Sequence, residues 1–145
     1  MLKVKIVNKS KNPLPSYATL LSAGMDLRAN LDKSVTVFPR QRVLIPTGIF
    51  IEVPEGYEAQ VRPRSGLANK YGLTVLNSPG TVDADFRGEV KVLVYNSSHN
   101  PWDIVNGMRI AQMVVAPVEH VLWVPCDELG KSDRNNGDFG STGIM

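Results

Sequence analysis

The residues best suited to chemistry lie in one short segment, residues 80–88, which carries two carboxylates, an aromatic ring and a guanidinium between terminal glycines. Strand-like runs precede it at 73–76 and follow it at 89–95, so the pattern predicts a tight hairpin. A hairpin turn needs only glycine with Asp or Asn. The additional charged and aromatic side chains therefore indicate a chemical role.

Asp83 and Asp85 are two residues apart, so an extended backbone would place both carboxylates on one face. Both acids could simply pair with Arg87 or Arg109. Alternatively, one of them is a general base that deprotonates a water molecule, while the other is held in a structural ion pair. The residues alone leave both interpretations open.

Arg64, Ser65 and Gly66 follow a predicted strand and lead into a possible short helix over residues 67–71. Ser65 could be an ordinary helix N-cap and Arg64 a solvated charge. Alternatively, the helix N-terminus presents N–H groups, a hydroxyl and a guanidinium to phosphate oxygens.

Two further sites carry weaker signals. Asp26 follows a glycine, so it is either a turn residue or a carboxylate that faces Mg²⁺ directly or through a water. Strand alternation predicts that Arg109 points to one face with Ala111, and Gln112 to the other with Ile110. A core-facing Arg or Gln would need a polar partner.

The elements that must position these groups are predicted to be strands. Apolar and polar residues alternate in many short runs, and most of the ten prolines and twelve glycines lie between those runs. We therefore expect an all-β, antiparallel single domain, a sandwich or barrel, over residues 1–129. The predicted strands include 1–7, 34–37, 49–53, 57–62, 89–95, 108–115 and 120–124.

Residues 130–145 differ in composition, because Gly, Ser, Asn and Asp dominate up to residue 143. Such a segment buries too little apolar surface to order itself, which predicts a flexible tail. Arg134, Phe139 and the run Gly140-Ser141-Thr142-Gly143 also offer a cation, a ring, hydroxyls and N–H groups. Those groups suit a flap that closes over a nucleotide.

Composition narrows the function classes. The chain has 145 residues, a net charge of +2 and one cysteine. One core is sufficient at this length, and the charge is too small to indicate nucleic-acid binding. A single Cys126 forms no internal disulfide, no apolar run is long enough to span a membrane, and a strand-like run opens the chain. We therefore expect a cytoplasmic protein without a membrane or nucleic-acid partner.

Five segments, at residues 23–29, 63–68, 80–88, 109–112 and 134–143, together resemble the five motifs of the trimeric dUTPase family in order and content. The resemblance spans nearly the whole chain. It implies a β jelly-roll (β-clip) fold with a closing C-terminal flap and a homotrimer with active sites at subunit interfaces. It also implies Mg²⁺-assisted hydrolysis of dUTP to dUMP and pyrophosphate, which limits uracil in DNA and supplies dUMP for dTMP synthesis.

The resemblance also implies residue roles by matching position. Asp83 would be the general base for water attack on the α-phosphorus, and Asp26 would hold a metal-bound water. Phe86 would lie against the deoxyribose and leave no room for a 2′-hydroxyl, and Arg109 would support the site from behind. The uracil pocket would comprise Asn77, Gly80, Thr81, Val82 and Lys91. The phosphates would contact Arg64, Ser65, Gly66 and Gln112. In the tail, Phe139 would cover uracil, Gly140 would contribute to the substrate contacts, and Arg134, Ser141 and Thr142 would contact the γ-phosphate.

Three positions depart from the family pattern. Phe86 stands where the family usually has Tyr, so the ring is kept and the hydroxyl is lost. Asn135 and Asp138 stand where the last motif usually has glycines. Asn tolerates left-handed backbone, whereas Asp138 adds negative charge beside a triphosphate and should weaken flap closure. We expect activity to be retained.

Two other functions compete with this expectation. A relative on the same fold deaminates dCTP, which would need an acid placed to activate water at the pyrimidine ring. A nucleotide-binding regulatory trimer without catalysis would have no use for the base at Asp83.

Overall fold

The computed structural model describes residues 1–138, in which nearly all regular structure is β-strand. The elements are β1 (Lys5–Asn8), β2 (Met25–Arg28), β3 (Val35–Val37), β4 (Arg42–Glu52), β5 (Tyr57–Arg62), α1 (Ser65–Tyr71), β6 (Leu73–Val75), β7 (Gly80–Val82), β8 (Glu89–Asn96), β9 (Trp102–Ile104) and β10 (Arg109–Pro117).

All strand pairings are antiparallel and form two four-stranded sheets and one two-stranded pair in this part of the chain. The first sheet has the order β1-β4-β8-β6, the second has the order β2-β10-β5-β7, and β3 pairs with β9. One hydrophobic core draws on all three sheets. The predicted all-β jelly-roll fold class is confirmed.

Strand alternation explains how the sequence fills this core. In β8, Val90, Val92, Val94 and Asn96 are buried, while the residues between them are more exposed. Asn96 is fully buried, and its Nδ2 donates to the carbonyls of Val37 and Asn100 at 2.8 Å each. This buried amide therefore ties the end of β8 to the β3–β9 pair.

The predicted hairpin is only partly correct: the flanking strands β6 and β8 do pair antiparallel, but residues 80–88 are not a tight turn between them. Gly80 and Val82 are buried and Thr81 is exposed, so residues 80–82 form their own strand, which pairs with β5 in the second sheet. The following strand, β8, lies in the first sheet between β4 and β6. The segment therefore crosses from one sheet to the other.

The predicted strand over residues 120–124 is also absent. Residues 118–138 contain no helix or strand, and the apolar side chains of Val121, Leu122, Trp123 and Val124 are 69–90% exposed. The sequence alternates as a strand would, but no strand of the described chain lies beside it to accept its backbone hydrogen bonds.

The short helix begins two residues earlier than predicted. Its N-cap is Arg64, without a side-chain capping bond, and Ser65 is its first helical residue. The interpretation of Ser65 as an N-cap is therefore wrong. Gly72 ends the helix in the left-handed conformation, at φ 66°.

In residues 1–138 no helix is long and apolar enough to cross a membrane.

Candidate active site

One cavity, of about 380 Å³, lies between the loop before β2, the start of β10 and the start of α1. We call it the arginine cavity. It is lined by Ser16, Ala18, Ser22, Ala23, Gly24, Asp26, Arg64, Ser65, Gly66, Arg109 and Gln112. Three separate sequence segments singled out for phosphate and metal chemistry therefore meet in one place.

Asp26 holds two arginines at this cavity. Its Oδ1 accepts from Nε of Arg64 at 2.8 Å, and its Oδ2 accepts from Nη1 of Arg109 at 3.2 Å. The carboxylate is 26% exposed and lies inside β2, so Asp26 is not a turn residue. Two guanidiniums against one carboxylate leave a net positive charge, which suits an anionic ligand.

A bulge in β10 directs both Arg109 and Gln112 toward the arginine cavity. Arg109 pairs with Arg28 and Ala111 with Leu27, so Ile110 is an extra residue on the β10 side. The extra residue interrupts the two-residue alternation of the strand. The prediction that Arg109 and Gln112 point to opposite faces is therefore wrong, because the bulge lies between them.

Gln112 is held in a defined position. Its Nε2 donates to the carbonyl of Pro63 at 3.0 Å, and its Oε1 lies where a side chain at Gly24 would begin, 2.3 Å from an ideal Cβ. Residue 24 must therefore be glycine for the Gln112 side-chain amide to lie over its backbone.

The start of α1 adds backbone donors to the same cavity. Backbone bonding within this helix begins with the N–H groups of Leu67 and Ala68, both of which donate to the carbonyl of Arg64. The N–H groups of Ser65 and Gly66 precede these bonds, as expected for the first turn of a helix. Both residues line the arginine cavity.

A second cavity, of about 210 Å³, lies beside β7 and the start of β8. We call it the Asp83 cavity. It is lined by Val61, Asn77, Gly80, Thr81, Val82, Asp83, Phe86, Glu89, Val90 and Lys91. The structure thus brings Asn77 and Lys91 next to the 80–86 segment, as the resemblance implied.

Asp83 follows the last residue of β7 and is exposed. Its carbonyl accepts from the N–H of Phe86 at 3.2 Å, which closes a turn over residues 83–86. Because the strand ends at Val82, Asp83 and Asp85 do not share a strand face.

The carboxylate of Asp83 forms no hydrogen bond or ion pair with any residue up to 138. The two proposed partners are engaged elsewhere. Arg109 binds Asp26, and Arg87 donates to the carbonyls of Ala84 (2.6 Å) and Phe86 (2.9 Å). Neither Asp83 nor Asp85 therefore forms an ion pair with Arg87 or Arg109, and the Asp83 carboxylate is exposed to solvent.

Glu89 is a cavity residue that the sequence analysis missed. Its Oε1 accepts from the N–H of Gly48 at 2.8 Å, and its Oε2 lies 3.9 Å from Nζ of Lys91. Strand alternation was the available signal, because Glu89 and Lys91 are two residues apart on β8. Ser16 and Ser22 of the arginine cavity carried no comparable signal.

The two cavities share no lining residue. Asp26 lies on β2 and Asp83 follows β7, and these strands are the opposite edges of the second sheet. Three strand spacings separate them, about 14 Å. Within one chain, the two carboxylates therefore lie at separate cavities.

The arginine cavity offers little to hold a metal ion by itself. Among the described residues that line it, Asp26 is the one carboxylate, and both of its oxygens contact arginines. Residues 1–138 contain no group of three His, Cys, Asp or Glu side chains that could hold a metal. This donor set fits a Mg²⁺ ion that takes most of its ligands from phosphate oxygens and water, with Asp26 reached through a water.

The tail contributes no described residue to either cavity, since neither lining extends beyond Gln112. Nε of Arg134 donates to the carbonyl of Gly137 at 3.0 Å in a local turn. Asn135 adopts the left-handed backbone expected of the glycine it replaces, at φ 42°. The roles predicted for Phe139, Gly140, Ser141 and Thr142 lie outside the described residues.

Comparison with known proteins gives one family. The family model described as dUTPase matches residues 10–143. The deoxyuridine 5′-triphosphate nucleotidohydrolase of Cytophaga hutchinsonii is 59% identical over 140 residues, covering 97% of this chain and 91% of that protein. The enzyme of the same name from Finegoldia magna is 51% identical over 142 residues, covering 98% and 99%.

Solved structures share the fold. A mutant dUTPase of Staphylococcus bacteriophage 80alpha, with dUpNHpp, has a TM-score of 0.87 at 23% identity, covering 99% of this chain and all of that one. A mutant dUTPase from phage phi11 of S. aureus, described with the coordination of a structural Mg(II) ion, has a TM-score of 0.78 at 19% identity, covering 90% and 100%.

The Asp26 cluster should contribute to stability. In Asp26→Ala the guanidiniums of Arg64 and Arg109 lose their shared partly buried counter-charge, so we expect the free energy of unfolding to fall by about 1–2 kcal/mol. Glu52→Ala is the matched control, because Glu52 also faces two cations, Lys5 at 3.1 Å and Arg87 at 4.0 Å, but is 42% exposed. Urea denaturation should show a change within about 0.5 kcal/mol for the control. Equal losses in both variants would contradict this assignment.

Proposed function

The chain belongs to the dUTPase family, and on that premise we propose that it hydrolyses dUTP to dUMP and pyrophosphate. The observation that carries the proposal is the pair of cavities. The arginine cavity is lined by two guanidinium groups and by N–H groups at the start of a helix. The Asp83 cavity has the solvent-exposed carboxylate of Asp83 beside the short edge strand β7. A polyphosphate and a pyrimidine nucleoside need these two environments.

Asp83 is the general base in this proposal. Its carboxylate is exposed and has no counter-ion among residues 1–138, so it can accept a proton from a bound water. The water oxygen bonds to the α-phosphorus, and the bond from that phosphorus to the bridging oxygen of the β-phosphate breaks. dUMP and pyrophosphate are then the two products.

The arginine cavity neutralises the charge on the phosphates. Arg64, the N–H groups of Ser65 and Gly66, and the Gln112 amide face the triphosphate. Arg109 acts from behind, because its bond to Asp26 helps to hold the carboxylate that fixes Arg64. Asp26 would also hold Mg²⁺ through a water, and the bound ion would neutralise further phosphate charge.

The pyrimidine and sugar lie in the Asp83 cavity. Within residues 1–138, β7 pairs with β5 alone, so the outer backbone edge of residues 80–82 is available to hydrogen-bond a base. Asn77 and Lys91 complete the uracil contacts, and Phe86 lies against the deoxyribose. A site that bonds the uracil edge rejects cytosine because buried polar groups would be left unpaired.

We also propose a homotrimer with sites between subunits, and the same geometry supports a shared site. The two half-sites lie on opposite edges of one sheet, so a nucleotide that touches both would use the arginine cavity of one subunit and the Asp83 cavity of its neighbour. Repeating such a heterologous contact closes a ring. The exposed apolar residues at 121–124 are consistent with burial in an assembly.

We assign residues 1–129 to the catalytic domain and 130–145 to a flap of the same domain. The flap would bring Arg134, Ser141 and Thr142 to the γ-phosphate, Gly140 to the substrate and Phe139 over uracil, excluding water. We place the protein in the cytoplasm, where its exposed free Cys126 would stay reduced. There its reaction would limit uracil in DNA and supply dUMP for dTMP synthesis.

Asp83→Asn tests the reaction. Pyrophosphate release with Mg²⁺ should be fastest from dUTP among dUTP, dCTP, dTTP and UTP. In the variant, kcat should fall by about 10²–10⁴-fold because the base is lost. Asp85→Asn is the matched control, an exposed acid of the same turn with no assigned role, and should keep wild-type kcat. Absence of release from dUTP, or full activity in Asp83→Asn, would contradict the proposal.

Arg134→Ala tests the flap in the full-length chain. Loss of the γ-phosphate contact should lower kcat/KM for dUTP by about 10–100-fold. Lys131→Ala removes a cation three residues away from the same exposed segment and should leave kcat/KM unchanged. Equal behaviour of the two variants would show that the tail contributes only general positive charge.

A further inference from the structure

The ring of Phe86 lies directly over the backbone of Gly88. An ideal Cβ at residue 88 would be 2.5 Å from Cζ of Phe86, 2.8 Å from Cε2 and 3.3 Å from Cε1. Carbon atoms do not approach that closely, since their optimum separation is about 3.5–4.0 Å. The ring therefore occupies the space that any side chain at residue 88 would need.

Residue 88 must be glycine because the Phe86 ring leaves no room for a side chain, and not because the backbone conformation requires it. Gly88 is not among the positive-φ glycines of the described chain, so its conformation is one that alanine can adopt. Phe86 is 42% exposed, and the three atoms nearest to the added Cβ all belong to its ring. A methyl group at residue 88 would therefore displace the ring rather than unfold the turn.

The backbone of the turn fixes where Phe86 begins but not where its ring lies. The Phe86 N–H donates to Asp83, and Arg87 donates to the carbonyls of Ala84 and Phe86. In these bonds Phe86 takes part only through its backbone N–H and carbonyl, and its ring takes part in none of them. Phenylalanine has no hydroxyl with which to anchor its ring, so the ring is positioned by packing, and the backbone of Gly88 is one surface against which it packs.

We propose that Gly88 is a positioning residue for sugar discrimination. Its missing side chain leaves room for the far end of the Phe86 ring, and the ring in this position lines the Asp83 cavity. The inference rests on the proposed function, in which that ring excludes a ribose 2′-hydroxyl. Gly88 itself does not line the cavity and acts through Phe86.

The test compares four full-length proteins: wild type, Gly88→Ala, Phe86→Ala and the double variant. For each, kcat/KM is measured with dUTP and with UTP. Gly88→Ala should lower the dUTP/UTP ratio of kcat/KM by about tenfold, which is the lower end of the effect that one methylene group has in an apolar pocket. In the Phe86→Ala background the same methyl group should change the ratio less than twofold, because the ring through which it acts is gone.

Two results would overturn the proposal. One is an unchanged ratio in Gly88→Ala. The other is an equal change in both backgrounds, which would mean that the methyl group acts on the backbone. If Gly88→Ala fails to fold, removal of the ring in the double variant should restore folding, and a double variant that also fails to fold would overturn it.

A crystal structure of Gly88→Ala gives a readout that does not depend on activity. The Phe86 ring should have moved off residue 88, and a ring left in place would contradict the inference. Absence of dUTP turnover in the wild type would instead contradict the proposed function, while the ring position would still decide the role of Gly88.

Discussion

The strand order β2-β10-β5-β7 is the constraint on which the site depends. It places Asp26 on one edge strand and Asp83 at the end of the other. Hydrogen bonding between adjacent strands separates these two edges by about 14 Å, so the two carboxylates lie at different cavities. In the proposed function these two cavities are half-sites, which would be joined where two subunits meet.

Each half-site depends on a local departure from regular structure. In the arginine cavity, the bulge at Ile110 brings Arg109 and Gln112 to the same side, and Gly24 leaves room for the amide. In the Asp83 cavity, the strand stops at Val82, so the next residue leaves the sheet with a carboxylate that pairs with no residue up to 138. Regular strands supply the rigid frame, and the irregular positions direct the side chains.

The chemistry was easier to predict from the sequence than the geometry. Local alternation was enough to predict the strands of the core, such as β8. The unusual content of residues 80–88 marked that segment for chemistry, but the choice of Asp83 over Asp85 and the role of Phe86 came only from the family resemblance. The bulge could not be predicted, because it depends on how Arg109 and Ala111 pair with Arg28 and Leu27, far away in the chain. The strand predicted at 120–124 failed for a related reason, since a strand needs a neighbour and the described chain offers none there.

The central claim, that one site combines halves of two subunits, is tested most directly by mixing two inactive variants. Asp83→Asn keeps the arginine cavity, and Arg64→Ala keeps the base. When the two are coexpressed in equal amounts, each site draws its halves at random from the two chains. The account predicts recovery of about a quarter of wild-type pyrophosphate release, far above either variant alone. Mixed assemblies no more active than the separate variants would contradict it.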